Sequence, residues 1–422
     1  MTKMAAMSPV AIIRSLDADQ RRAFLASFLG WTLDAFDFFL VTFIISKIAD
    51  DFSMKIAGVA AAITITLVMR PLGALIFGVL ADRFGRRGPL MGSVLFYSLM
   101  ELLTAFSPNF QVFFIFRLLY GIGMGGEWGV GAALALESLP TAARGFASGI
   151  LQQGYATGYL LAAVAYFFVF PHVGWRAMFV VGVLPALLVL YIRSFVKESP
   201  LWSAGQHNKI GQRFELWHAF VKNPWIFIYA IVLMTAFNYM SHGTQDLYPT
   251  FLKVQRGLSV GYVTSVAIIA NIGAILGGTL FGYISQSFGR KRSIIVAAIF
   301  GLLAIPLWVH APNTALLALG GFVIQFFVQG AWGVIPVHLN ELSPAAVRGT
   351  FPGLTYQFGN LTSAPAAQIE ATIAAGYFVL PTGGADYATA LSVIVAVIFV
   401  AVIIMTAIGP ERRGIDFATV ET

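Results

Sequence analysis

Cysteine is absent from all 422 residues, which excludes disulfides, thiolate metal sites and a cysteine nucleophile. The absence leaves the compartment open, because disulfides are optional in a membrane protein. Charge is scarce as well. Asp, Glu, Lys and Arg make up 11% of the chain, against roughly a quarter in a soluble domain. No stretch outside the apolar regions is long enough for a soluble catalytic domain, and no nucleophile–base pair, nucleotide loop or metal-ligand cluster is evident. An enzyme is therefore not expected, nor is a cofactor or a metal. His172, His207, His218, His310 and His338 are scattered, mostly near the ends of apolar segments, where solvated roles are expected.

Apolar residues dominate instead, at 58% of the chain, with 37 Phe and 42 Gly. Stretches near bilayer-spanning length recur from Phe24 to Ile408, the pattern of a polytopic integral membrane protein. Residues 1–22 carry Arg14, Asp17, Asp19, Arg21 and Arg22 without a small-residue cleavage site. The apolar run that follows exceeds a signal-peptide core, so it is expected to be a retained first span. The net charge of +7 fits anchoring at a cytoplasmic membrane face better than nucleic-acid binding.

The chain repeats itself. GVLADRFGRR from Gly78 returns as GYISQSFGRKR from Gly282, an offset of 282 − 78 = 204 residues. The same offset relates Trp128-Gly129-Val130 to Trp332-Gly333-Val334, Glu137 to Glu341, Arg144-Gly145 to Arg348-Gly349, and Gln153 to Gln357. Two homologous halves follow, with a site expected between them near the bilayer midplane. Six spans are expected per half: 23–48, 57–81, 89–107, 110–134, 145–170 and 174–194, then 223–250, 260–285, 292–310, 314–337, 349–376 and 387–408. The corresponding segments are an N-terminal piece, 1–22, a first half, 23–194, a linker, 195–222, a second half, 223–408, and a tail, 409–422. Arg and Lys concentrate after even-numbered spans and in the linker, while the other side has only Lys47, Lys55, Arg176, Lys253 and Arg256. Both termini are thus expected in the cytoplasm.

Gly78-x-Leu80-Ala-Asp82-Arg83-x-Gly85-Arg86-Arg87 resembles the signature loop of the major facilitator superfamily. The resemblance implies an all-α integral membrane fold of 12 transmembrane helices in two pseudo-symmetric six-helix halves. The second copy departs from the motif, with Gln286 in place of Asp82. Charges at span ends are ordinarily topological anchors. Here Asp82, Arg86, Glu137, Arg144, Glu341 and Arg348 instead read as a gating network that holds one conformation closed without touching substrate.

Removing the loop charges leaves Asp34, Asp37, Arg70, Glu101, Arg117, Glu127, Asp246 and Glu370 within spans. Each is a functional candidate, since a carboxylate at the bilayer centre costs about 2.5–3.5 kcal/mol. Asp34 and Asp37 lie three apart on one helix face, where mutual repulsion favours a bound proton; the alternative is an ion pair with an intramembrane arginine. Arg70 offers a planar fork to a carboxylate, or a structural partner to Asp34 or Asp37. Arg117 reads as structural. Glu127 has Ala331 at the repeat-related position and is a coupling candidate, whereas Glu101 and Glu370 have no supporting pattern.

Asn238, Ser241, His242, Gln245 and Asp246 fall at i, i+3, i+4, i+7 and i+8, one continuous face of span seven. Pro249 is expected to break this helix. Asn238-x-x-Ser241-His242-x-Thr244-Gln245-Asp246-x-x-x-Thr250 is similar to the seventh-span motif of Jen-type lactate and pyruvate permeases in the sialate:proton symporter family, and Gln357-x-x-Asn360 is a second match. The resemblance implies proton symport of a small monocarboxylate. It implies substrate binding by Asn238, His242, Gln245, Asp246, Gln357 and Asn360; the Arg70 fork fits beside them as a substrate clamp, and Gln153 matches Gln357 across the repeat. Proton coupling then falls to Asp34, Asp37, Glu127 or the His242/Asp246 pair. The expected partners are an anionic carboxylate, a proton and the lipid bilayer, with the chain a monomer in the cell membrane. A symporter of another organic acid (sialate, shikimate or a dicarboxylate) and a non-transporting solute sensor are the alternatives.

Overall fold

The computed structural model describes residues 8–54, 56–205, 215–380 and 385–417. Nine helices among these residues are long and apolar enough to cross a bilayer. The three remaining expected spans are each divided into two helices. Span four is Phe110–Gly125 and Glu127–Ser138, span five is Arg144–Gln152 and Gly154–Phe168, and span eleven is Phe351–Ser363 and Ala366–Gly376. Nine and three make the twelve crossings that the hydropathy pattern implies.

The 204-residue offset reappears in local structure. Asn109 and Asn313 cap the starts of spans four and ten, their side chains accepting from the amides of Val112 (3.0 Å) and Leu316 (2.9 Å). These caps satisfy helix-terminal donors that would otherwise lack partners. The turns from span two to three and from eight to nine pass through Gly85 (φ 98°) and Gly289 (φ 109°). Only glycine enters that backbone region without steric cost, which explains the glycine in both copies of the loop motif. Within the first half, spans two and four approach so closely that a Cβ on Gly125 would overlap the backbone of Arg70. Small residues at such crossings replace the hydrophobic drive that is missing between helices in lipid.

Span seven runs from Pro224 to Gln245 and breaks at Asp246–Leu247, two residues ahead of the proline expected to break it. A proline ring clashes with the carbonyl four residues earlier, which for Pro249 is that of Gln245, so the helix ends there. The chain resumes as a short helix, Tyr248–Thr250, and a wide turn, Phe251–Gln255. Span six is interrupted at Gly174 (φ 75°) and again between Val181 and Pro185. In the linker, Pro200–Gly205 and Glu215–Lys222 are short helices, and 206–214 lie outside the described residues.

Contacts across the halves pair span two with eleven and span five with eight. Exposed apolar side chains such as Phe167, Leu187, Leu303 and Val397 lie on the outside, as a surface facing lipid requires.

Candidate functional site

Three groups of polar side chains occupy the interior. In the first, Arg70 Nη2 bonds Asp34 Oδ2 at 3.2 Å, with both residues buried. The arginine also lies 5.5 Å from the Phe38 ring centroid. Glu127 packs against Gly30 of the same span as Asp34, and neither of its oxygens has a hydrogen-bond partner. The ion-pair alternative therefore holds for Asp34, while Glu127 is unpaired.

The second group separates Asp37 from Asp34. Asp37 Oδ1 and Glu101 Oε1 both face the Cα of Gly182 in the broken span six. Glu101 Oε2 is bound to Arg117 at 2.6 Å, and the Arg117 guanidinium covers the Tyr120 ring at 3.9 Å. Neither oxygen of Asp37 accepts a hydrogen bond. Arg117 is thus engaged by Glu101 and Tyr120. Glu101, which no sequence pattern singled out, is a neighbour of Asp37.

The third group is built on span seven and departs from the single polar face that spacing implied. His242 Nδ1 meets Asp246 Oδ2 at 3.0 Å, and its Nε2 lies 3.4 Å from Asn360 Oδ1. Asn360 Nδ2 in turn reaches Gln357 Oε1 at 3.5 Å, and the Gln357 amide nitrogen is buried without a partner. The two motif matches in spans seven and eleven thus meet. Gln245 turns away, donating to Gln325 Oε1 (3.0 Å), and Gln325 donates to Thr244 Oγ1 (3.1 Å). Asn238 donates back to the Met234 carbonyl at 2.8 Å, and Gln153 likewise to that of Gly149 at 3.3 Å. Each of these two amides thus spends one N–H on its own helix and keeps its remaining donor and its oxygen for other partners.

Aromatic rings join the first and third groups. Trp31, Trp128, Tyr155, Tyr356 and Trp332 form a continuous chain of ring contacts, mostly edge-on or tilted, with Trp128 and Tyr356 centroids 4.7 Å apart across the halves. Tyr155 is within electrostatic reach of Arg70, Asp246 and Asp34. Trp128 and Trp332 were visible as repeat markers, but nothing in their spacing marked them as a wall of the site.

On the side of the termini the halves are bolted together. Asp82 accepts from the amides of Gly349 (2.7 Å) and Thr350 (3.0 Å) and from Thr350 Oγ1 (2.6 Å) at the start of span eleven. Gln286 in the second copy does the same with less: its Oε1 accepts from the Gly145 amide at 3.1 Å at the start of span five. Arg86 forms a two-pronged pair with Glu137 (2.9 and 3.2 Å), and Arg290 forms its counterpart with Glu341 (2.9 and 3.0 Å). Arg290 follows from Arg86 by the repeat offset and belongs with the expected network. Arg348 reaches Glu137 across the halves at 4.0 Å. Arg144 instead donates to the carbonyls of Leu136, Leu139 and Ile415. The buried ring of Phe417, in the tail, lies between the two repeat-related arginines, 3.6 Å from Arg144 and 4.1 Å from Arg348. His338 also departs from expectation: it is fully buried, with no partner for either ring nitrogen.

The profile of the Major Facilitator Superfamily matches residues 27–367. The chain belongs to that superfamily. It is a multi-pass membrane transporter rather than an enzyme. Among the superfamily's curated members, it is 30% identical to a carboxylic acid transporter protein homolog of Saccharomyces cerevisiae, over 98% of this chain and 72% of that one. It is 28% identical to the sialic acid transporter NanX of Escherichia coli, over 86% and 90% respectively. A solved structure of the proton:xylose symporter XylE superposes with a TM-score of 0.71 at 19% identity, covering 94% of this chain and 97% of that one. That likeness bears on the fold alone.

Proposed function

We propose that this superfamily member imports a small monocarboxylate, such as lactate or pyruvate, together with a proton by alternating access. The observation that carries the reading is the meeting of His242, Asp246, Asn360 and Gln357, contributed by two separate motif matches, with the buried Arg70–Asp34 pair in the other half. That the relatives include transporters named for carboxylic acid, sialic acid and cis,cis-muconate supports an organic acid as the substrate class. In this reading Gln357 and Asn360 contact the carboxylate or hydroxyl, and Arg70 exchanges Asp34 for the substrate anion. Asn238, Gln245 and Gln153 shape the wall through their backbone and amide contacts.

Asp37 and Glu127 are the leading proton carriers of the first half, since both are fully buried and unpaired, whereas Asp34 is engaged by Arg70. A buried ionised carboxylate without a partner is costly, and a bound proton removes that cost. One anion with one proton moves no net charge, so a pH gradient drives uptake.

The contacts of Asp82, Arg86, Glu137, Arg144, Glu341 and Arg348, with Arg290 and Phe417, hold the terminus side shut. That side is the cytoplasmic one in this reading, with both termini in the cytoplasm of a cell-membrane protein acting as a monomer. The halves are 23–194 and 223–408. Uptake of radiolabelled lactate into proteoliposomes, competed by pyruvate, acetate, sialate and succinate, tests the substrate. Competition by pyruvate is expected, and selective competition by sialate or succinate would move the assignment to another organic acid.

A further inference from the structure

One intramembrane acid belongs to none of the assignments above. Glu370 lies in the second helix of span eleven, Ala366–Gly376, and is 2% exposed. Neither of its oxygens has a hydrogen-bond partner. It packs against Gly243 of span seven, where a Cβ would stand 3.0 Å from Glu370 Oε1 and 3.2 Å from the Ile398 side chain of span twelve. Gly243 is the neighbour of His242 and lies less than a turn from Asp246, so Glu370 stands directly behind the polar wall.

The groups that face it can be counted. Between Gly349 and Ala385, and again through span twelve from Tyr387 to Ile408, Glu370 is the only Asp, Glu, Lys, Arg or His. Span seven contributes His242 and Asp246, and Asp246 is within electrostatic reach. No cation pairs with Glu370 among the described residues. An ionised carboxylate desolvated in that way costs several kcal/mol, and the neutral acid far less. Asp246, by contrast, has a side chain 37% exposed and is held by His242.

We propose that Glu370 is a second residence for the single symported proton, beside Asp37 or Glu127, and is coupled through Asp246 and His242 to the occupancy of the substrate site. A proton adds to one carboxylate oxygen of Glu370 when the anion is bound, and it leaves to water when the anion has gone. The extra negative charge of a bound anion beside Asp246 strengthens proton binding at Glu370, and by linkage the proton strengthens anion binding by the same factor. Glu370 acts on the substrate through its neighbours and is a positioning residue in that sense.

The inference rests on the proton-symport reading, and one assay separates the two. Lactate transport is measured in proteoliposomes across a series of pH values for the wild type and Glu370→Gln, whose amide imitates the neutral acid. The wild-type KM is expected to rise with pH by up to about tenfold per unit. The variant's KM should climb no more than about half as steeply with pH as the wild type's, the remainder belonging to Asp37 and Glu127, with lactate–lactate exchange retained. A variant whose KM climbs in parallel with the wild type overturns the proposal and leaves symport standing. A wild type with no pH dependence and no accumulation overturns symport first, and the proposal with it. Glu370→Asp guards against misfolding of the amide variant: it should keep the pH dependence with a displaced midpoint, and an unmoved midpoint counts against the proposal.

Discussion

Replacing Asp82 by Asn probes the closed face where it is most concentrated. The carboxylate accepts three hydrogen bonds from the start of span eleven, at 2.6–3.0 Å, and pairs with Arg86 at 3.0 Å. Bonds to a charged group are worth about 1.5–3 kcal/mol each, and neutral ones about 0.5–1.5. Neutralising the acceptor of three cross-half bonds therefore costs about 3 kcal/mol, roughly a hundredfold in the open-to-closed ratio. Arg86 remains satisfied by Glu137, so the loss falls on the contact between halves rather than on the fold. The cysteine-free sequence makes the assay clean. Phe84→Cys and Phe288→Cys, exposed and related by the repeat, can carry spin labels on the terminus side. The parent should show a short label-to-label distance, and Asp82→Asn should add a longer component. An unchanged distance distribution would refute the bolt.

Further expectations address single contacts. Phe417→Ala removes the ring between Arg144 and Arg348; two cation–π contacts at about 1 kcal/mol each should open the same labelled face about thirtyfold more often, and an unaltered distribution would separate the tail from gating. Arg70→Lys keeps the charge but loses the planar fork, so lactate KM should rise about tenfold or more, and an unchanged KM would retire Arg70 as an anion clamp. His242→Ala leaves Asp246 and Asn360 without their shared partner and should reduce kcat/KM by about tenfold or more, whereas full activity would dissociate the pair from substrate. Gly125→Val places side-chain atoms into the Arg70 backbone and should lower the amount of folded protein recovered in detergent; normal yield and melting temperature would contradict the close crossing of spans two and four.

Much of this architecture was legible because the chain is duplicated. The 204-residue offset relates the Asn caps, the positive-φ glycines and both Arg–Glu pairs, Arg290 standing to Glu341 as Arg86 stands to Glu137. Spacing also placed His242 and Asp246 one turn apart, as found. It failed where side chains choose partners in three dimensions. Asn238 and Gln153 each spend one N–H on a local carbonyl, and Gln245 pairs with Gln325 in span ten, outcomes that helical periodicity does not encode. Asp34 and Asp37 share a helix face, yet Asp34 pairs with Arg70 of span two while Asp37 is left beside Glu101 of span three without a hydrogen bond. Glu101, Glu370 and Phe417 carry no motif, and their significance arises from what surrounds them.

The central claim is coupling of a monocarboxylate to a proton, and proteoliposomes loaded at a higher internal than external pH test it directly. The account predicts transient accumulation of labelled lactate above its external concentration, which collapses when a protonophore abolishes the gradient and is unaffected by membrane potential at one-to-one stoichiometry. Uptake that merely equilibrates and ignores the imposed gradient would contradict it.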